Sequence, residues 1–499
     1  MRFGKPDHDT RATTKAGAEG DTATPHRPED ERLPPKLLLL YGLQHILTMY
    51  AGAVAPALVI GGAAGLDPSD LGILVSGALL VAGIATLLQS LGPWRMGAQL
   101  PIVVASSFVP VSAMTAIAAE QGLPVVFGAS LVGGVFALCL TPFFGHLVRF
   151  FPPQVTGSII TVIGLSLMPV AAGWVVDGAE SGHPSMGDLA LAGATLALVL
   201  LFSRVLPGLL GRVSILLGLI AGTLIALPFG KTDFGSVPDG AYFALGSPLH
   251  FGMPAFDVAA VLTMCVIMLV VLTEGASHII AVGEITGSKV DAKRISAGLR
   301  ADVSASIIGP LLNSTPGSSF AQNIGLLALT RIRSRYVVAT GAGILIVLGL
   351  FPVLGRVVAA IPMPVLGGAG LVLFGSVAAS GVRTLAKVDF DNNLNLILVA
   401  TSLGFGIIPM AVPEFYEGFP PQVALVLHSG IVGAALVAIV LNICFNVIGR
   451  PRAQTHPEID GGELRTAGPG EAKYTESADA AYRAPDPHGP GEELAKDTE

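Results

Sequence analysis

Charge is what this chain has least of. Only 13% of its 499 residues are Asp, Glu, Lys or Arg, against about 25% in soluble domains. That shortage excludes an ordinary water-exposed globule. Cysteine is scarce too. Cys139, Cys265 and Cys444 each lie inside an apolar run, without disulfide or metal-site spacing, and read as small buried hydrophobes. No H-E-x-x-H pair and no G-x-S-x-G elbow occurs, which argues against a membrane enzyme. No ring-forming filter motif speaks for a channel. No cofactor or nucleic-acid partner is expected. Residues 1–34 lack the apolar core of a signal peptide.

What is present is apolar length. Hydrophobic residues make up 52% of the chain, and the mean hydropathy is +0.70. Runs such as Lys36–Ile60, Leu71–Leu91, Ala255–Leu272 and Tyr336–Leu354 approach or exceed the roughly 20 residues that cross a bilayer. The fold class is therefore an all-α polytopic membrane protein, and the 62 glycines read as close-packing positions between helices. About fourteen spans are expected, at 36–60, 71–91, 98–118, 124–147, 154–174, 187–204, 213–229, 254–278, 294–310, 315–331, 336–357, 362–382, 393–412 and 421–447. Arg95, Arg149, Arg204, Arg212, Lys289, Lys293, Arg294, Arg331, Arg333, Arg335, Arg383, Lys387, Arg450 and Arg452 then fall on one side. Asp67, Asp70, Glu120, Asp177, Glu180, Asp233, Asp239, Glu414 and Glu417 fall on the other, with Lys231 and Arg356 as exceptions. The positive-inside rule places the basic side, and both termini, in the cytoplasm. Residues 1–34 and 451–499 read as disordered tails. The second holds eleven acids against five bases, so most of the net charge of −7 resides there.

The most informative stretch is 313–331, NSTPGSSFAQNIGLLALTR. A polar segment broken by Pro316 and Gly317 runs straight into a helical pattern from Ala321. Irregular backbone survives at membrane depth only where it lines a protected cavity, and such breaks point to a transporter's binding site. The stretch has an echo. Ser318-Ser319-Phe320 repeats Ser106-Ser107-Phe108, and Ile361-Pro362-Met363-Pro364-Val365 repeats Phe151-Pro152-Pro153-Gln154-Val155, at nearly the same offset. A shift of seven spans inverts the second copy. The expectation is two inverted seven-span repeats, 35–230 and 231–450, with short strand-like breaks in spans 3 and 10.

Ionisable groups inside spans are expensive and mark function. His45, Glu274, His278 and Asp302 stand out. Glu274 and His278 are four apart and share a helix face. His45 reads either as a site group or as a satisfied interhelical histidine, and Asp302 either as a site group or as a cap near a span end. Glu284 reads as a solvated face residue. Gln322 and Asn323 open a half-helix, where free N–H groups and the positive dipole end meet the cavity. A glutamine amide both donates and accepts, which suits a nucleobase edge. Phe108, at the equivalent place in the first repeat, is positioned to stack on a planar ligand or to pack in the core.

Gln322-Asn323-Ile324-Gly325-Leu326-Leu327-Ala328-Leu329-Thr330-Arg331 resembles the signature of the nucleobase–ascorbate transporters, [QEP]-N-x-G-x-x-x-x-T-[RKG]. Gln44-His45 resembles that family's QH motif, and Thr273-Glu274-Gly275 its span 8 carboxylate motif. The resemblance covers roughly residues 35–447. It implies a core domain of spans 1–4 and 8–11, a gate domain of spans 5–7 and 12–14, a homodimer, and elevator-type movement of the core. Carried over, Glu274 binds ring N–H groups, Gln322 binds the opposite polar edge, and Phe108 stacks. Main-chain groups near Ser107 and Ala321 complete the site, while His45, His278, Asp302 and Asn323 support it or couple it to protons. Gln322-Asn323 favours xanthine or urate. His278 resembles the uracil-type members and keeps uracil open.

Overall fold

A computed structural model describes residues 27–144, 150–176, 183–232, 248–420 and 429–448, with isolated positions between and beyond them. The first 26 residues, most of 451–499, and the charges Arg149, Asp177, Glu180, Asp233, Asp239, Arg450 and Arg452 lie outside the described residues.

The helices are α1 (Pro35–Ala63), α2 (Pro68–Leu91), α3 (Val111–Gln121), α4 (Leu123–Leu140), α5 (Pro153–Ser166), α6 (Met168–Val176), α7 (Met186–Val205), α8 (Gly208–Arg212) and α9 (Ser214–Ala226). There follow α10 (Val258–Thr286), α11 (Ala292–Ile308), α12 (Ala321–Thr330), α13 (Arg335–Gly349), α14 (Pro352–Ala359), α15 (Met363–Leu385), α16 (Asn393–Ala411) and α17 (Gly430–Asn442). Strand β1 (Val104–Ser106) precedes α3 and strand β2 (Gly317–Ser319) precedes α12. The expected breaks thus fall in spans 3 and 10. A two-residue pair, Ile459–Asp460 with Glu463–Leu464, lies in the C-terminal segment.

Among the described residues, ten helices are long and apolar enough to cross a membrane. The pair Arg335–Gly349 and Pro352–Ala359, bent by 79°, makes an eleventh if it is one span. Ser214–Phe229 is apolar but shorter. The two remaining expected spans are the strand-plus-half-helix units, too short to span as helices. The chain is a multi-pass helical membrane protein.

Local chemistry sets the ends. Asp67 caps α2, accepting from the amides of Ser69 and Asp70, with Pro68 in the first turn and left-handed Gly92 at the far end. Asp257 and Asp291 cap α10 and α11 in the same way. The helices pack as two bundles. One contains α1–α4 and α10–α14, in which α2 lies along α13 and α4 along α10 and α11. The other contains α5–α9 and α15–α17, in which α15 packs on α5, α6 and α7. Glycine allows the closest approaches. A β-carbon on Gly77 would collide with the Leu312 carbonyl, and one on Gly164 with the Ala378 backbone. The two bundles meet mainly where α9 touches α1 and where α5 and α17 touch α10.

Two expectations change here. Cys139 and Cys444 are exposed and Cys265 is half-buried, because an apolar run in a membrane protein also covers the outer surface. Lys231 and Arg356, the exceptions to the charge rule, are both engaged. Lys231 pairs with Asp188, and Arg356 is buried with its Nε donating to the Val237 carbonyl at 3.0 Å.

The second change concerns the first tail. Residues 28–30 form a 3-10 turn and Glu29 is 1% exposed. Its carboxylate takes Arg294 Nη2 at 2.5 Å and the Ser288 hydroxyl at 2.6 Å. Asp30 accepts from Arg335 Nε at 2.6 Å, and the Ser334 hydroxyl donates to the Glu31 carbonyl. These residues clasp the basic ends of α10, α11 and α13. Composition cannot reveal this, because the order comes from partners 250 and more positions away. Burial alone would raise the Glu29 carboxyl, but the bonds from Ser288 and Arg294 outweigh it and hold it below the usual 4.5. A depressed carboxylate stabilises above its unfolded value, and that stabilisation is lost as pH falls through the folded value. Glu29→Ala should therefore open the clasp, removing about 1.5–3 kcal/mol of charged hydrogen bonding. Tryptic cleavage after Arg32 should become rapid at neutral pH, and in the unsubstituted protein the protection of the 29–31 amides, relative to their intrinsic exchange rates, should fall on acidification below 4.5. Cleavage at unchanged rate would show that Glu29 does not hold the segment.

Candidate functional site

The two strands build the site. They pair antiparallel, with Val104 opposite Ser319, Ala105 opposite Ser318 and Ser106 opposite Gly317. The ladder continues outward: Ser107 N–H donates to the Pro316 carbonyl and Phe320 N–H to the Val103 carbonyl, each at 2.8 Å. Three amino acids per strand are a weak sheet alone, so side chains pin it. Thr86 on α2 bonds both the N–H and the carbonyl of Val104. His278 on α10 bonds the Ser319 carbonyl through Nδ1 at 3.0 Å. A carbonyl only accepts, so the proton sits on Nδ1.

Asp302 belongs to this support. It is 1% exposed, accepts from the Ser319 hydroxyl at 2.6 Å and from Gln89 Nε2 at 2.9 Å, and does not line the cavity. Gln89 in turn accepts from the Ala98 amide. His45 and Asn323 form a second buried support. Asn323 Nδ2 donates to His45 Nδ1 and to the His45 carbonyl, each at 3.3 Å, tying α12 to α1.

In front of the strands lies a cavity of about 210 Å³ between the two bundles. Ser107, Phe108, Glu274, His278, Ala321 and Gln322, all singled out from the sequence, line it together. Glu274, on α10, accepts from the Ser318 hydroxyl at 3.3 Å. The Gln322 amide has no hydrogen-bond partner among the described residues, so it is available to a ligand. α12 starts at Phe320 without a side-chain cap, which leaves the first-turn N–H groups facing the strand break. The Phe108 ring lies 6.5 Å from the Phe320 ring and 6.0 Å, edge-on, from Phe374 of the other bundle.

The opposite wall was not foreseen. Ile160 and Ile163 from α5, with Ser376, Val377, Ser380 and Arg383 from α15, close the cavity. These are ordinary helix residues without a motif. Their only signal is the spacing 376, 380 and 383, which puts two hydroxyls and a guanidinium on one face. A carboxylate and a carboxamide, flanked by serine hydroxyls, free amides and aromatic rings, can hold a planar polar heterocycle by both edges and one face.

A site on broken helices between two membrane bundles defines a secondary transporter. Comparison with known proteins gives the family. The permease-family model (Xan_ur_permease) matches residues 36–415, and the chain belongs to that family, the nucleobase–ascorbate transporters. It is 41% identical to the uric acid transporter UacT of Escherichia coli over 84% of this chain and 89% of that one. It is 38% identical to the xanthine permease of Bacillus subtilis over 86% and 98%, and 38% to that organism's uric acid permease PucJ over 81% and 92%. Among solved structures, it resembles the transmembrane domain of the cyanobacterial bicarbonate transporter BicA (TM-score 0.54, 15% identity, 81% of this chain and 97% of that one). It also resembles murine Slc26a9 in the inward-facing state (TM-score 0.58, 11% identity, 84% and 69%). At such identities these two share the fold alone. The chain is a transporter and not an enzyme.

Proposed function

We propose that this permease takes up an oxidised purine, xanthine or urate, together with a proton. It would do so across the bacterial cell membrane, with both termini in the cytoplasm. One observation carries the reading: Glu274 and an unpartnered Gln322 line the same cavity as Phe108. The carboxylate accepts from ring N–H groups, and the amide matches an edge with both a donor and an acceptor. The names of the relatives agree. In this reading α1–α4 and α10–α14 form the moving core of an elevator, α5–α9 and α15–α17 form the gate, the two halves are inverted repeats, and the working unit is a homodimer. His45, Asn323, Asp302 and His278 hold the half-helices and strands that carry the contacts.

Uracil is the runner-up, kept by the His278 resemblance, although His278 is engaged with the Ser319 carbonyl. Inorganic anion transport on the same fold is disfavoured, because such a cargo offers no ring N–H donor to Glu274 and no donor–acceptor edge to Gln322. The test is uptake of radiolabelled xanthine and urate into proteoliposomes, with a panel of competitors. Each buried polar group left unpaired costs about 1–3 kcal/mol. Adenine, lacking both oxo groups, should therefore compete at least about tenfold less well than xanthine. Adenine or uracil inhibiting as well as xanthine would remove the oxopurine reading.

A further inference from the structure

A second cavity, of about 260 Å³, adjoins the first along the α12 half-helix, beside the α1 residues Leu47 and Thr48. Gln322, Gly325 and Phe320 border both cavities. Gln322 and Gly325 are one turn apart, and nothing stands within 4 Å of where a Gly325 β-carbon would sit. The half-helix therefore presents one smooth face to two chambers.

The second chamber is apolar except for three groups: the Thr48 hydroxyl, the Gln322 amide and the Arg212 guanidinium. Arg212 ends α8 of the gate bundle and is half-buried. Its Nη1 is buried and has no hydrogen-bond partner among the described residues. Among the described residues, no carboxylate lines the chamber. A buried guanidinium nitrogen without a partner is rare, because leaving it unpaired sacrifices its hydration without return. A group from outside the protein that accepts hydrogen bonds or carries negative charge would answer it.

We propose that this chamber is a second binding site, for the anionic form of a planar oxopurine, with Arg212 carrying the charge. The proposal rests on the nucleobase reading above. A guanidinium fork matches two adjacent acceptors on one edge of such a ring. Leu47, Ile215, Leu216 and Leu329 supply flat apolar walls. Gln322, bordering both chambers, is the side chain past which a base would move from the Glu274 cavity to Arg212. Urate is an anion at mildly acidic pH and xanthine is neutral, so the second site separates the two substrates by charge. The phosphate of a membrane lipid offers the same chemistry to Arg212 and is the competing source.

The experiment measures uptake of labelled urate and of labelled xanthine, side by side at mildly acidic pH, in proteoliposomes of phosphatidylcholine alone and with added phosphatidylglycerol. Arg212→Gln should lower the urate-to-xanthine ratio about tenfold, the size of one lost charge-assisted contact, in both lipid mixtures. Arg212→Lys should recover much of the ratio, since the charge returns without the fork. Leu47→Phe narrows the same chamber without touching the charge. It should also lower the ratio, which guards against an Arg212 variant that fails to fold. If both substrates fall together and the ratio holds, Arg212 binds lipid phosphate or serves the fold, and the second site is refuted. An unsubstituted protein that carries neither substrate would instead refute the nucleobase reading itself.

Discussion

Glu274→Gln is expected to abolish accumulation of xanthine and urate while leaving the protein folded and inserted. The substitution keeps shape. The Ser318 hydroxyl, which donates to Glu274 Oε2 at 3.3 Å, finds the carboxamide oxygen of glutamine in the same place, so β2 keeps its anchor. What disappears is the charge and the proton site. In the substrate-bound, protonated state the carboxyl offers one donor and one acceptor, and a carboxamide offers the same kinds, so binding weakens only by the cost of an altered neutral contact, about 1 kcal/mol or roughly fivefold. Two assays separate the effects. Counterflow exchange of labelled for unlabelled base needs binding and movement but no net proton flow, and it should fall by roughly the binding loss. Accumulation against a gradient needs the proton as well and should vanish. A Glu274→Gln protein that still concentrates either base would remove Glu274 from the mechanism.

Much of this site was legible because its parts are costly exceptions within an apolar sequence. The polar break at Pro316–Gly317, with the Ser-Ser-Phe echo at 106–108, predicts irregular backbone in two spans, and the fold turns both breaks into the paired strands β1 and β2. Glu274 and His278 stood out as charges in a span four residues apart. Asp302 was legible as a buried charge, but not its task, since its partners Gln89 and Ser319 are assembled only by the packing of α2, α11 and β2. The gate-side wall was not legible, because Ile160, Ser376 and Ser380 are common residues on regular helices and only tertiary contact gives them meaning. Glycine was read correctly as close packing, whereas cysteine was not: in a bilayer an apolar neighbourhood does not distinguish a core from a lipid-facing surface. The clasp at 27–34 fails for a third reason. A polar, proline-rich segment of this kind is disordered unless distant partners exist, and Arg294 and Arg335 are such partners.

Uptake should also stop with a protonophore, ignore sodium, and rise as the external pH is lowered. Glu274 and Asp302 are both acids of the core bundle, and among the described residues neither has a Lys or Arg within salt-bridge distance. Moving a bundle with a bare carboxylate through the apolar layer is unfavourable, and a bound proton removes that charge at the cavity. Substrate held by a protonated Glu274 then travels without net charge on the acid, and release of the proton inside frees both. The driving force follows from mass action. Each pH unit across the membrane is worth about 1.36 kcal/mol per proton. With the interior held fixed and one proton per base, lowering the outside from about pH 8 to about pH 6 raises the attainable accumulation about a hundredfold. Any membrane potential adds about 2.3 kcal/mol per charge for each 100 mV. Proteoliposomes with an imposed proton gradient, with or without sodium and a protonophore, provide the measurement. Accumulation that follows the sodium gradient and survives the protonophore would replace the proton with sodium as the coupling ion, while leaving the fold and the Glu274 cavity as described.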